Sequence, residues 1–226
     1  MNIIEAIEKK DFHLSPTDRL TTARERMDRH GFNALPVVEE NVLSGLLTKE
    51  EIESYTHEID SPADPSIGKA GLNYYKTVYL FEQQHLFDAI PLMDAHQTNV
   101  LPIIDEQHHY LGMVTWAGLV RGINTIMDCE RPGSMLVLEV GQRDNALSHI
   151  AHIVESTDAQ ILSSFTRQIP DSTRLEITLK ISSSSLSSVM SALLQADYTI
   201  KNTYHSDLDR DDLNARFEHL MNYINM

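Results

Sequence analysis

The first half of the chain alternates between a helical pattern of apolar residues and the shorter pattern of strands. The helical pattern comes first and places three apolar residues on one face: Leu20, Ala23 and Met27. Two short apolar runs follow it: residues 34–39 and 42–48. Glu40-Asn41 between these runs is typical of a tight hairpin turn. Because the residues after Thr48 return to helical spacing, a second helix is predicted to begin near Lys49.

The same order of elements recurs 66 residues later. His30-Gly-Phe-Asn-Ala-Leu-Pro-Val-Val38 is matched by His96-Gln-Thr-Asn-Val-Leu-Pro-Ile-Ile104, and Gly45-Leu-Leu-Thr48 is matched by Gly112-Met-Val-Thr115 with one extra residue in the turn. A repeated unit of this kind buries its apolar face against its copy. We therefore expect a pair of βαββα units within residues 1–130, the first repeat at about 8–60 and the second at about 72–127. Residues 60–71, rich in Pro, Gly and Ser, are predicted to link them.

Capping residues and one proline set the expected ends of these helices. Thr17 or Asp18 is predicted to cap the first helix, and Gly31 is placed to end it. Pro91 falls inside the equivalent helix of the second repeat, where it removes a backbone hydrogen bond. A bend or a late helix start is expected there.

The second half of the chain predicts a separate α+β unit after Arg131-Pro-Gly133. Its elements are a strand, a helix, two strands, a helix and a strand, predicted at 135–140, 147–154, 159–169, 174–181, 186–194 and 198–204. This βαββαβ order over residues 134–205 is typical of the ferredoxin-like fold. Residues 206–226 predict an additional amphipathic C-terminal helix.

Composition and charge narrow the classes of function. Lys+Arg number 18 and Asp+Glu 33, so the net charge is −15, which disfavours binding to nucleic acid. No apolar run approaches the roughly 20 residues of a membrane span, and the N-terminus lacks a signal pattern. The single cysteine, Cys129, is expected to be partly buried and suits the reducing cytoplasm. No nucleophile–base pattern or metal-ligand cluster is evident, so no catalytic residue is predicted and the chain is not expected to be an enzyme.

The two repeats resemble the cystathionine-β-synthase (CBS) domain, which occurs in tandem pairs. Leu35-Pro-Val-Val38 with Gly45-Leu-Leu-Thr48, and the equivalent residues of the second repeat, carry this resemblance. The resemblance implies a cleft that holds an adenosine compound such as AMP, ADP or ATP, and a homodimer. The residues it places at the cleft are these: Asn33, Ala34, Leu35, Pro36, Thr48, Glu51, Asn99, Val100 and Thr115.

In the CBS family, a carboxylate three residues after the motif threonine accepts hydrogen bonds from the ribose. Glu51 stands at this position in the first repeat, whereas Gly118 stands there in the second and has no side chain. An acceptor is therefore expected in the first repeat and none in the second. The alternative is that Thr48 and Thr115 only cap the following helices and that Glu51 is an exposed acid of the first helical turn. Phosphate would also need cations, and those near the motifs are Lys49, Arg24 and Arg121.

Residues 134–205 resemble the ACT domain, a regulatory module for small molecules. That resemblance implies an amino-acid site at the turn after the first strand, made by Arg143, Asp144, Asn145 and Ala146. Asp144 is also explained as a helix cap. A CBS pair followed by an ACT-like unit resembles the acetoin-utilisation CBS-ACT proteins of bacteria.

These observations favour a non-catalytic regulatory module that senses a small molecule. Two alternatives remain open at this stage. One is a structural scaffold whose cleft is filled by its own side chains, such as Trp116. The other is an amino-acid sensor that acts through the ACT-like unit. The regulated partner protein is not indicated by the sequence.

Overall fold

A computed structural model describes residues 1–8, 12–58, 64–71, 78–141, 147–182 and 186–204. The chain divides into two compact units, Met1–Ile126 and Met127–Met226. The predicted ligand turn at 143–146 and the predicted C-terminal helix at 206–226 lie outside the described residues. Within the described ranges, no helix has the length and apolar character that a bilayer span requires.

The first unit contains the two repeats, with elements in nearly the same order. The elements of the first repeat are α1 (Leu20–His30), β1 (Ala34–Glu39), β2 (Val42–Thr48) and α2 (Lys49–Glu58). The elements of the second repeat are β3 (Leu80–Phe81), a 3-10 helix (Leu86–Asp88), α3 (Ala89–Ala95), β4 (Val100–Ile104), β5 (Tyr110–Thr115) and α4 (Trp116–Ile126). β1 pairs antiparallel with β2, and β4 pairs antiparallel with β5 and parallel with β3. The mixed α+β pair predicted from the repeat is confirmed.

Residues with positive φ form the predicted turns. Glu40 and Asn41 have φ values of 49° and 67°, which gives the hairpin the two left-handed residues that a type I′ turn needs. Gly31 ends α1 with φ 69°, and the N–H of Phe32 donates to the carbonyl of Met27 at 2.9 Å, as in a Schellman motif. The hairpin and the glycine stop are therefore confirmed.

The predicted cap of α1 is wrong. Arg19 is the N-cap residue, and its side chain makes no capping hydrogen bond. Asp18 instead accepts a hydrogen bond from the backbone N–H of Ser15 at 2.9 Å. The capping carboxylate comes from Asp64, which accepts from the N–H of Thr21 at 3.2 Å and from its hydroxyl at 2.6 Å. A side chain 43 residues away thus satisfies the first turn of α1.

Pro91 has the effect expected of it. The 3-10 helix Leu86–Asp88 precedes α3, and α3 begins only at Ala89, so Pro91 is its third residue. A proline in the first helical turn removes a hydrogen bond that the turn would not make anyway. The late start is therefore confirmed.

Two short segments each pack against the repeat that they do not directly precede in the chain. The N-terminal segment, residues 1–8, precedes the first repeat but packs into the core of the second, where Ile3 is fully buried beside Leu86 and Leu101. The connector segment, residues 64–71, precedes the second repeat but packs into the first, where Ile67 is fully buried. Each repeat is thus completed by the segment that lies before the other one.

In the part of the second unit that the structure describes, four antiparallel strands form a sheet with two helices on one face. Its elements are β6 (Ser134–Gly141), α5 (Leu147–Glu155), β7 (Ile161–Gln168), β8 (Arg174–Ile181), α6 (Leu186–Gln195) and β9 (Thr199–Tyr204). The strand order is β7-β8-β6-β9, so the first strand lies between the third and the fourth. Alternate residues of β6 and β8 form the core with the two helices: Leu136, Leu138, Val140, Ile177, Leu179 and Ile181.

Cys129 is exposed, so the prediction that it is partly buried is wrong.

Candidate functional site

Thr48 and Glu51 of the first repeat form a capping box at the start of α2. The Thr48 hydroxyl accepts from the backbone N–H of Glu51 at 3.2 Å. One carboxylate oxygen of Glu51, Oε2, accepts from the backbone N–H of Thr48 at 2.7 Å and from its hydroxyl at 2.9 Å. These are the reciprocal contacts that satisfy the free N–H groups of a helix start. In this arrangement Glu51 acts on the helix that carries it.

The two cations expected near the first motif are both paired with acids. Lys49 contacts Asp28 at 2.6 Å, and Arg24 contacts Glu53 at 3.2 Å. The Lys49 hydrogen bond is the main reason that the pKa of Asp28 lies below its ordinary value. A phosphate at the first repeat would therefore have to compete with carboxylates for both cations.

Asn33 and Asn99 bind each other across the two repeats. The backbone N–H of Asn33 donates to the Oδ1 atom of Asn99 at 3.1 Å, and the N–H of Asn99 donates to Oδ1 of Asn33 at 3.0 Å. Their amide groups also donate in equivalent ways, from Asn33 to the carbonyl of Gln97 and from Asn99 to the carbonyl of Gly31. We call this pseudo-symmetric set of four hydrogen bonds the Asn33–Asn99 clamp.

The clamp is also connected to the start of both motif helices. The carbonyl of Asn33 accepts from the N–H of Lys49 at 2.9 Å, and the carbonyl of Asn99 accepts from the N–H of Trp116 at 2.8 Å. Because the polar groups of both asparagine side chains are used between repeats, their role here is to hold the pair together.

The remaining predicted residues of the Leu-Pro motifs belong to the core. The side chains of Ala34, Leu35 and Val100 are 0%, 1% and 0% exposed, and Pro36 is also buried. The carbonyl of Pro36 accepts from the N–H of Leu14 at 2.7 Å. These residues fix the position of the strands, and only their backbone could contact a ligand.

The second repeat obtains a carboxylate from a distant part of the chain. Oε1 of Glu8, in the N-terminal segment, accepts from the hydroxyl of Thr115 at 2.7 Å and from Nη2 of Arg121 at 2.7 Å. The Thr115 hydroxyl in turn accepts from the N–H of Gly118 at 3.0 Å. The same threonine-to-carboxylate contact is made by Glu51 in the first repeat. Position 118 itself supplies no side chain, and a carboxylate from the N-terminal segment contacts the motif threonine instead.

Gly118 leaves the space through which the N-terminal segment passes. A Cβ atom on Gly118 would lie 2.9 Å from the carbonyl oxygen of Ala6 and 3.4 Å from Oε1 of Glu8. Because a real Cβ essentially never comes so close to a backbone oxygen, any larger residue would displace the segment. The missing side chain at position 118 and the carboxylate of Glu8 are thus parts of one arrangement.

A cavity of about 430 Å³ lies between the N-terminal segment and α4, and we call it the Glu8 cavity. Its volume falls within the roughly 300–1,000 Å³ typical of small-molecule sites. The lining combines apolar or small residues with charged ones, among them Glu5, Ile7, Glu8, Gly118, Arg121 and Gly122. A carboxylate acceptor and a guanidinium donor beside apolar side chains suit a small molecule that carries hydroxyl groups.

The ionised state of Glu8 is stabilised by its two partners. Partial burial raises the pKa of Glu8, but the hydrogen bonds from Thr115 and Arg121 and the charge of Arg121 outweigh this effect, so the pKa lies below its ordinary value of 4.5. Glu8 is therefore a carboxylate at neutral pH and can only accept hydrogen bonds.

Two further expectations can be compared with the geometry. Trp116 is 52% exposed and does not fill the interior, contrary to what a cleft blocked by Trp116 would need. Among the described residues, no group of three or more His, Cys, Asp or Glu side chains could hold a metal ion.

Sequence reasoning missed Glu8 itself, which is separated from Thr115 by 107 residues. The only hint in the sequence is the weak likeness of Met1-Asn-Ile-Ile-Glu-Ala6 to Pro65-Ser-Ile-Gly-Lys-Ala70.

Comparison with known proteins identifies the family. The CBS domain matches residues 4–58 and 75–124, which are the N-terminal segment with the first repeat and then the second repeat. A CBS domain-containing protein of Bacillus subtilis, YhcV, is 32% identical over 126 residues, which span 54% of this chain and 84% of that protein. The chain belongs to the CBS-domain family.

Several solved structures resemble the CBS pair. A CBS domain pair/ACT domain protein from Thermotoga maritima is 17% identical with a TM-score of 0.46, and the match covers 55% of this chain and 98% of that one. CBSX2, solved in complex with AMP, is 17% identical with a TM-score of 0.45 and coverages of 55% and 97%. A Vibrio cholerae protein assigned to acetoin utilization (AcuB) is 16% identical with a TM-score of 0.48 and coverages of 57% and 95%.

Proposed function

We propose that this protein is a non-catalytic regulatory sensor that binds a nucleoside-type small molecule in its CBS pair. The observation that supports this proposal most directly is the Glu8 cavity, where a carboxylate and a guanidinium lie beside small and apolar residues. A carboxylate is a good acceptor for the ribose hydroxyls of such a ligand. AMP, ADP, ATP and adenosine are the candidate ligands.

The second repeat is the better candidate for the ligand site, although the sequence alone favours the first. In the first repeat, Oε2 of Glu51 already accepts two hydrogen bonds from Thr48. In the second repeat, Glu8 makes the equivalent contact with Thr115, and in addition it lines the Glu8 cavity. We therefore propose Glu8 and Arg121 as the polar residues that contact the ligand, with the Thr115 hydroxyl holding the Glu8 carboxylate in place. The first-repeat motif residues have the structural roles described above.

We propose that the protein forms a homodimer and that ligand binding in the CBS pair acts on the dimer contact and on the second unit. Four apolar side chains of the second repeat are between 37% and 52% exposed on neighbouring helices: Phe87, Ile90, Trp116 and Val120. The equivalent positions of the first repeat are polar or charged: Thr21, Arg24, Lys49 and Glu53. A second copy of the chain would cover the apolar surface by an isologous contact. The βαββαβ order and strand order of the second unit support an ACT-like regulatory domain, and the single cysteine supports a cytoplasmic location.

A thermal-shift experiment with adenosine, AMP, ADP and ATP tests the proposal. A ligand at 100 times its Kd stabilises the native state by about 2.7 kcal/mol, which corresponds to a rise of several degrees in Tm. We expect Glu8→Gln to weaken the shift, because the neutral amide is a poorer acceptor for hydroxyl groups. The matched variant Glu51→Gln should retain it.

The outcomes separate the alternatives. No shift with any nucleoside or nucleotide would leave the chain as a scaffold and would contradict the proposal. A shift that is lost in Glu51→Gln and kept in Glu8→Gln would move the site to the first repeat. A parallel titration with the twenty amino acids tests whether the second unit binds a ligand of its own.

A further inference from the structure

We infer that residues 205–226, which lie outside the described part of the chain, cover the face of the second unit's sheet that lies opposite α5 and α6. We call this surface the open face. Its residues alternate along the strands with those of the core. On the two central strands they lie opposite one another in the register, Met135 with Lys180, Val137 with Thr178 and Glu139 with Glu176.

The middle of the open face is apolar. Val137 is only 8% exposed, although neither helix lies on its side of the sheet. Phe165 of β7 is half-buried opposite Thr178, and Tyr204 of β9 lies opposite Met135 with 56% of its surface exposed. An antiparallel sheet with one face in water usually carries polar residues on that face. The apolar strip is therefore typical of a face that another element covers.

The charged residues beside this strip carry a net positive charge. Among the strand residues of the open face there are four cations and two carboxylates: Arg167, Arg174, Lys180, Lys201, Glu139 and Glu176. Glu176 is 4% exposed and contacts Arg167 and Lys201, which hold it from the two sides. The sum is +2, whereas the whole chain carries −15. The open face is thus a positive surface on an acidic protein.

Residues 205–226 match the open face in polarity, charge and length. Their sequence places apolar residues at helical spacing on one side: Leu213, Phe217, Leu220, Met221 and Ile224. They include five acidic residues and two arginines, so their net charge is −3, opposite in sign to that of the open face. A helix of about 17 residues is about 26 Å long, which is also the length of an eight-residue strand such as β6 or β8.

The connection to β9 favours this segment over a second copy of the chain. Residue 205 follows Tyr204, whose partner in the register is Met135 of the open face. The segment therefore starts at the border of the surface that it would cover. Because it is attached there, its effective concentration at this surface is far higher than that of a separate molecule.

Thiol labelling of the full chain tests the inference. In a Cys129→Ser background, Phe165→Cys places a single thiol on the open face, and Thr166→Cys places it on the other side of the same strand. We expect Phe217→Asp to accelerate labelling of Phe165→Cys at least about ten-fold, because a charge buried in an apolar contact would release the segment. The matched variant Asn222→Asp adds the same charge on the polar side of the predicted helix and should leave the rate unchanged. The Thr166→Cys thiol should react at the same rate with either segment.

The labelling rates decide the question. A rate for Phe165→Cys that Phe217→Asp leaves unchanged would overturn the inference, because the segment would then not shield the open face. Equal acceleration by Asn222→Asp would also overturn it, since the effect would not depend on the apolar side of the segment. If Phe165→Cys folds poorly, Ser163→Cys on the same face of β7 takes its place.

A mixing experiment tests whether the segment comes from the same chain. Phe165→Cys chains with an intact segment are refolded together with an excess of Phe217→Asp chains that contain no cysteine. We expect the thiol to remain as slow to react as in the unmixed protein, because each chain covers its own sheet. A rise to the fast rate would mean that a second copy supplies the segment, and it would contradict the inference.

Discussion

Replacing either asparagine of the Asn33–Asn99 clamp should destabilise the CBS pair by a similar amount. Asn33→Ala removes the acceptor of the Asn99 N–H and the donor to the carbonyl of Gln97, at 3.0 and 2.6 Å. Asn99→Ala removes the equivalent bonds, to the N–H of Asn33 and the carbonyl of Gly31, at 3.1 and 2.8 Å. At about 1 kcal/mol for each neutral hydrogen bond, each variant should lower the free energy of unfolding by about 2 kcal/mol.

The double variant tests whether the two residues act on one interface. Residues that share an interface have non-additive effects, typically by about 0.5–3 kcal/mol. We expect the double variant to be less destabilised than the sum of the two single variants, because the first replacement already loosens the contact between the repeats. A sum that is additive would mean that the two side chains stabilise separate structures.

The only tryptophan of the chain provides the assay. Trp116 lies in the unit Met1–Ile126, and its backbone N–H donates to the carbonyl of Asn99. Urea unfolding followed by its fluorescence therefore reports on the CBS pair and not on the second unit. Asn202→Ala, an exposed position on β9, is the control and should leave the transition unchanged. A loss below about 0.5 kcal/mol in either clamp variant would refute the account, since that is the lower limit for one hydrogen bond.

Three further predictions concern the second repeat. Gly118→Ala should lower the stability of the CBS pair by about 1–3 kcal/mol in the same urea assay, because its Cβ meets the carbonyl of Ala6; an unchanged midpoint would contradict this packing. The pKa of Glu8 in the folded protein lies below 4.5, so ionised Glu8 stabilises the fold above that pH, and this stabilisation is lost as the pH falls through the folded pKa. In Glu8→Gln the free energy of unfolding should therefore fall less steeply as the pH is lowered. An equally steep fall in the variant would contradict this role of Glu8. Val120→Glu should weaken self-association in sedimentation experiments, whereas Glu53→Gln at the equivalent position of the first repeat should not; a dimer unaffected by Val120→Glu would place the interface elsewhere.

The sequence predicts the local structure of the repeats well, because local physics determines it. The runs at 34–39 and 42–48 and the turn at Glu40-Asn41 need only β propensity and two residues that tolerate positive φ. Pro91 marks the late start of α3 for an equally local reason. Elements of this kind follow from a few consecutive residues, so their bounds could be predicted closely.

The contacts that form the candidate site depend on residues far apart in the chain. Asp64 caps a helix 43 residues away, and Glu8 reaches Thr115 across 107 residues. Nothing in the neighbouring sequence distinguishes Asp64 or Glu8 from the many exposed acidic residues of the chain. Asn33 and Asn99 could be recognised as equivalent positions, but their reciprocal bonding depends on how the repeats pack. The sequence offers a cap by Thr48 as one alternative, and the N–H of Glu51 does donate to the Thr48 hydroxyl. The reciprocal contact of the Glu51 carboxylate, expected to be an exposed acid, was not part of that alternative.

A crystal structure of the protein grown with adenosine is the most direct test of the account. We predict a nucleoside in the Glu8 cavity with a ribose hydroxyl within hydrogen-bond distance of the Glu8 carboxylate. A nucleoside bound instead beside Glu51 in the first repeat, with the Glu8 cavity empty, would contradict it.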